Sequence, residues 1–151
     1  MPYAWQPRGS VLAIPTSTHR RRLNVFGFLK RHNELYPYVI EGKGDTSVIV
    51  EGFAQFSQQL NKRTSVLLDN SPLHRSHEFM RPIPQWVQRG LIIQYLPPYS
   101  PALNLMEMLW RFIKYHWLPF SAYMSFSCLV QAVEDILTRF GTDYTINFQA
   151  T

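Results

Sequence analysis

Apolar residues in this chain gather into short runs separated by turn-forming residues, and the runs follow two different periods. Residues 23–29 (LNVFGFL) are apolar on both faces, the pattern of a strand covered on two sides. Residues 34–40 (ELYPYVI) predict another strand, reached through residues 30–33, a connection short enough for a hairpin. Pro37 has no N–H for a ladder bond, which assigns this strand to a sheet edge. Upstream, residues 11–14 (VLAI), closed by Pro15, predict a brief strand after an opening whose Trp5, Pro7 and Gly9 suit a loop.

After a glycine-rich turn at 41–44 the period lengthens. Asp45 or Thr46 can cap a helix in which Ile49, Phe53, Phe56 and Leu60 make one apolar stripe, as a packing helix requires. Residues 64–69 are a short apolar run ending in Asp69, expected to be a central strand buried on both faces. Residues 77–89 predict a helical connection interrupted by Pro82 and Pro84 and stopped at Gly90. Residues 91–96 are the next apolar run, and two strands joined through a helix make a parallel pair.

Pro97, Pro98 and Pro101 exclude helix before Ala102. Asn104 then stands as an N-cap with Glu107 at the capping-box position. In the helix that follows, Leu105, Leu109 and Phe112 form one apolar stripe, and Met106, Trp110, Ile113 and Trp117 its neighbour. Glu107, Arg111 and Lys114 fall on the opposite side, facing solvent or a ligand. A last helix over 125–140 carries Phe126, Leu129, Val133, Ile136 and Phe140 on one face and ends at Gly141.

Composition narrows the class. At 151 residues, 46% hydrophobic and 15% aromatic, the chain suits one globular domain over 1–151. No apolar run approaches a membrane span, and the N-terminus lacks the pattern of a secretion or transit peptide, so a cytoplasmic location is expected. The lone Cys128 cannot form an intramolecular disulfide and fits a reducing compartment. A formal charge of +5 and a pI near 9.6 favour a polyanionic partner such as nucleic acid. Arg20, Arg21 and Arg22, after His19, are either a solvated turn or a phosphate contact.

Asp69 and Glu107 are the candidate chemistry. Paired carboxylates fixed on rigid elements can hold magnesium or manganese, and ligands collect at the carboxyl ends of parallel strands. Two plainer readings stand beside this. Asp69-Asn70-Ser71-Pro72 is also a turn sequence, and Glu107 can simply pair with Arg111. His74 suits a structural or phosphate-binding role better than metal ligation.

VLLDNSPLHRS at 66–76, a helix containing Trp86, and LIIQYLPPYSPALNLMEMLWRFIK at 91–114 together resemble the DDE superfamily endonuclease domain of insertion-sequence transposases related to the mariner group. WQPRG at 5–9 resembles the loop after that family's first catalytic strand, and RLNVFGFL at 22–29 the strand after it. The resemblance implies an RNase H-like α/β fold: a mixed five-stranded sheet, three antiparallel strands followed by two parallel, with flanking helices. It implies Asp69 and Glu107 as the second and third catalytic acids and metal ligands, with two Mg2+ or Mn2+ ions. Asn70 and His74 match the polar residues beside the second acid. Asn104, Trp110 and Lys114 match positions around the third, with Lys114 free to approach DNA phosphate. The implied partners are transposon ends and target DNA, with a homodimer as the complete form and no membrane.

There are two departures from the family pattern. Leu105 stands where the family usually has Pro, which leaves the helix start intact. More seriously, the family's first catalytic Asp has no counterpart, and Asp45, in the turn before the packing helix, does not replace it. The absent strand would be the central one, between residues 23–29 and 64–69, and its loss would leave two unpaired edges inside the sheet. The expectation is therefore a truncated catalytic domain, inactive alone, of a prokaryotic, nucleoid-associated enzyme that in complete form cuts and joins DNA at element ends. The alternative is a catalytically inactive DNA-binding or dimerising remnant that inhibits a full-length copy.

Overall fold

The hairpin forms as the spacing predicts. In the computed structural model, which describes residues 21–148, β1 (Leu23–Lys30) pairs antiparallel with β2 (Glu34–Glu41), Lys30 facing Glu34 and Gly27 facing Pro37. Asn33 takes a left-handed φ of 59° to close the turn. The strand expected at 11–14 lies outside the described residues.

Helix α1 (Thr46–Gln58) follows, with Asp45 before it making no side-chain capping bond. Leu60 lies beyond the helix end, so the apolar stripe stops at Phe56, although Leu60 still packs against the core. Strand β3 (Thr64–Leu68) pairs in parallel with β4 (Leu91–Tyr95), the register running from Thr64 opposite Leu91 to Leu68 opposite Tyr95. The connection is two short helices, α2 (His77–Met80) and α3 (Ile83–Gln88), split near Pro82. Gly90, at φ +96°, turns the chain into β4.

Pro101–Leu103 makes a single 3-10 turn, and α4 (Leu105–Phe112) continues into a π-helical turn, Ile113–Trp117. Asn104 occupies the N-cap position, but its side chain makes no capping bond, so the expected capping box is not formed; Glu107 N–H donates instead to the Asn104 carbonyl at 3.2 Å. A 3-10 turn (Phe120–Tyr123) leads to α5 (Phe126–Arg139), where Ser125 Oγ accepts from Cys128 N–H.

The alternating side chains of β1 and β2 separate two cores. Phe28 and partly buried Phe26 and Tyr38 face α1, α2 and α3, packing with Phe53, Phe56, Phe79, Trp86, Leu68 and Leu91. Leu23, Val25, Leu29, Leu35 and Val39 face α4 and α5, packing with Leu109, Ile113, Val133, Ile136 and Leu137. The first core is a chain of rings: Phe28 stacks on Phe56 at 3.9 Å, Phe53 on Trp86 at 5.2 Å, and Phe79 stands edge-on to both Phe53 and Trp86. Gly52 lets the Phe26 ring lie against α1, where a Cβ would clash with it.

The strand at 64–68 departs from expectation. Val66 and Leu68 pack into the aromatic core, but Leu67, on the opposite face, is 58% exposed. The strand is therefore covered on one face, because the partly buried strand residues that pack with α4 and α5 come from the β1–β2 hairpin. The sheets are also separate among the described residues: β1 pairs with β2, β3 with β4, and no ladder joins the pairs.

This packing predicts a sharp difference between two substitutions. Trp86, fully buried, should cost about 3–5 kcal/mol as Trp86→Ala, whereas Leu67→Ala should change stability by no more than about 0.5 kcal/mol, both read from urea denaturation.

A candidate acidic site between the two sheets

Asp69 directly follows β3, and Glu107 sits in the first turn of α4. Both line one cavity of about 740 Å3, together with His74, Asn104 and Trp110. The structure thus brings to one space five residues that the sequence had placed on three separate elements.

Asp69 is held by its own turn. Ser71 N–H donates to Asp69 Oδ1 at 3.1 Å, and His74 Nδ1 lies 2.7 Å from the same oxygen. His74 is fixed in turn: its ring packs against buried Phe79 with centroids 5.3 Å apart, and its carbonyl accepts from Tyr95 Oη at 2.7 Å. Partial burial works to raise the Asp69 carboxyl. The Ser71 amide and the His74 ring outweigh it and hold the pKa below the ordinary 3.8.

Sequence reading missed two residues that complete this support, Arg75 and Tyr95. The Arg75 guanidinium lies 3.6 Å from the Tyr95 ring centroid and donates to Asn70 Oδ1 from Nε at 3.2 Å and Nη2 at 2.5 Å. Asn70 Nδ2 donates to the Leu96 carbonyl at 2.5 Å, tying the end of β3 to the end of β4. The available signal was positional: Tyr95 ends the strand beside the one that ends before Asp69.

The helical acid is freer. Among the described residues Glu107 has one ion-pair neighbour, Arg111, at 3.9 Å, with both side chains more than half exposed. Such a pair contributes about 0.3–0.5 kcal/mol and leaves the carboxylate free to take another ligand. Lys114 is exposed on the π-helical turn and, like Arg111, stands outside the cavity lining. Arg21 and Arg22 form a separate patch with Lys43 and Phe126; Arg21 pairs with Glu41 at 3.2 Å and lies over the Phe126 ring at 4.3 Å. Arg20 lies outside the described residues.

Two carboxylates are hard donors suited to magnesium or manganese, and Asp69 Oδ2 carries none of the bonds that occupy Oδ1. The donor chemistry fits a divalent cation and the donor number is short. Among the described residues no group of three or more His, Cys, Asp or Glu is placed to hold a metal ion. Also among them, no helix is long and apolar enough to cross a membrane.

Acids at the carboxyl end of a parallel strand and in the first turn of a helix are compatible with metal-dependent chemistry on phosphate esters. The family model described as DDE superfamily endonuclease matches residues 1–129, and the chain belongs to that family. No curated protein matches the chain. The family is one of nucleases of the transposase type, which act on DNA and use divalent metals.

Because Asp69 is held below its unfolded value, its contribution to stability is present above about pH 4 and is lost as pH falls through the lower folded value. In metal-free buffer, His74→Ala should move the Asp69 carboxyl pKa upward in an NMR titration. Asp69→Asn should flatten the loss of stability below pH 4.

Proposed function

We propose that this chain belongs to the catalytic domain of an insertion-sequence transposase related to the mariner group. In complete form it cleaves DNA at element ends and joins them to a target. The observation that carries the reading is that Asp69 and Glu107, the two acids matched to the family motif, line one cavity. The fold is read as RNase H-like: the antiparallel β1–β2 hairpin and the parallel β3–β4 pair are its outer parts, and its central strand, bearing the first acid, is not among residues 21–148.

In this reading Asp69 and Glu107 hold divalent cations, Mg2+ or Mn2+, two in the complete site. Such cations, when bound, activate the attacking oxygen and stabilise the leaving one. His74 and the Ser71 amide hold the Asp69 carboxylate in place, Asn70 locks the turn, and Trp110 and Asn104 shape the helix start. Arg20, Arg21, Arg22, Arg111 and Lys114 contact DNA phosphates, with His74 close to the scissile region. The complete protein works as a homodimer on DNA in the cytoplasm, associated with the nucleoid.

A second reading is favoured by one observation: among the described residues no group of three or more His, Cys, Asp or Glu is placed to hold a metal ion. On that reading the 151-residue chain binds DNA or dimerises without cutting, and inhibits a complete copy.

The test is a magnesium-dependent nicking assay on element-end DNA, using the chain extended by an N-terminal strand ending in Asp. Asp69→Ala and Glu107→Ala should each lower the rate by at least about 100-fold, while Lys114→Glu should mainly weaken DNA binding and reduce its salt slope by about one. Undiminished nicking by either alanine variant rejects the assignment.

A further inference from the structure

Between the end of β4 and the start of α4 the chain makes a proline-rich bend, Leu96-Pro97-Pro98-Tyr99-Ser100-Pro101. Both ends of the bend belong to the cavity of the two acids, Leu96 on entry and Leu103 and Asn104 on exit. The entry is anchored beside Asp69, because Leu96 N–H donates to the Leu68 carbonyl at 2.7 Å and the Leu96 carbonyl accepts from Asn70 Nδ2. The exit is closed by turn bonds, from Leu103 N–H to the Ser100 carbonyl and from Asn104 N–H to the Pro101 carbonyl, each 3.1 Å. Tyr99 lies between them, three residues from Leu96, so its Cα is within about 11 Å of that anchor.

Two features set Tyr99 apart. Its relative exposure is 102%, against 64% for Tyr115, the next most exposed large apolar side chain among the described residues. Its φ is +57°, in the left-handed region that bulky residues rarely adopt. Pro97, Pro98 and Pro101 fix φ at three nearby positions and limit how the bend can relax. The fold therefore holds an aromatic ring outward in a strained conformation, with no packing to offset the strain. A turn that meets no ligand is better served by Gly or Asn at this φ, and strain of this kind collects where a side chain meets one.

The chemistry of the ring narrows the ligand. The family acts on DNA, and the chain carries a net charge of +5. Basic side chains supply contacts to phosphate, whereas a phenol ring offers a face on which a base can stack. Bases inside a duplex already have neighbours on both faces, so the ring requires one that is unpaired. We infer that Tyr99 is a stacking platform for an unpaired DNA base at the mouth of the acid cavity. The stack adds affinity with little regard to sequence and does not use the hydroxyl. Stacking itself requires only that the chain bind DNA; that it also positions the neighbouring phosphodiester for Asp69 and Glu107 rests on the proposed catalytic reading.

The test is fluorescence anisotropy with the 151-residue chain in metal-free buffer, using a labelled single strand of about 12 nucleotides and a blunt duplex of the same sequence. Tyr99→Ala should weaken single-strand binding by about 10-fold with the salt slope unchanged, and Tyr99→Phe should stay within about 2-fold of the parent. Both variants should bind the blunt duplex as the parent does. Tyr99→Gly should lose the same affinity while its Tm holds or rises, since glycine suits the left-handed φ, which separates lost stacking from lost folding. On a strand of abasic residues the parent and Tyr99→Ala should bind alike. Full single-strand affinity in Tyr99→Ala, an equal loss in Tyr99→Phe, a loss that persists on the abasic strand, or no single-strand binding by the parent overturns the inference. So does a change of oligomeric state in Tyr99→Ala by sedimentation, which would assign the ring to a protein interface. If Tyr99→Ala loses single-strand affinity while Asp69→Ala and Glu107→Ala nick undiminished in the extended chain, the platform stands and the catalytic reading falls.

Discussion

Side chains, rather than backbone, hold the two halves of this protein together. Among the described residues no hydrogen-bond ladder connects β1 to β3; Phe28 from the hairpin, Phe53 and Phe56 from α1, and Phe79 and Trp86 from the crossover form the bridge. Burial of rings of this size is a large, non-directional stabilisation, which suits a junction without backbone register. The same cluster sets the site, since Phe79 packs on His74 and His74 holds Asp69.

From this follows a division between a rigid acid and a freer one. Asp69 is fixed through Ser71 and His74, with Asn70, Arg75 and Tyr95 locking the surrounding turn. Among the described residues Glu107 has only a long surface pair with Arg111, and its approach to Asp69 depends on how α4 packs over the hairpin.

Much of this was legible in the sequence, for identifiable reasons. The hairpin follows from the short connection at 30–33, the parallel pair from two apolar runs joined through a helix, and the split crossover from Pro82. Asp69, Glu107, His74, Asn104 and Trp110 were singled out from a motif, and they line one cavity. The failures were of context. Residues 64–68 have the composition of a strand covered on both faces, yet Leu67 is exposed, because composition does not reveal whether a covering layer is present. The capping box failed because Asn104 uses its carbonyl where its side chain was expected. Arg75 and Tyr95 carried only a positional signal, because their contact joins a turn to a strand end some twenty residues away.

The central claim is that Asp69 and Glu107 belong to one cation site. Paramagnetic broadening by Mn2+ in NMR spectra of the 151-residue chain tests it most directly. The account predicts that substoichiometric Mn2+ broadens the amides of Asp69 and Asn70 together with those of Leu105 to Glu107, and that Asp69→Asn or Glu107→Gln abolishes both sets. Broadening confined to one of the two segments, or surviving both substitutions, would contradict it.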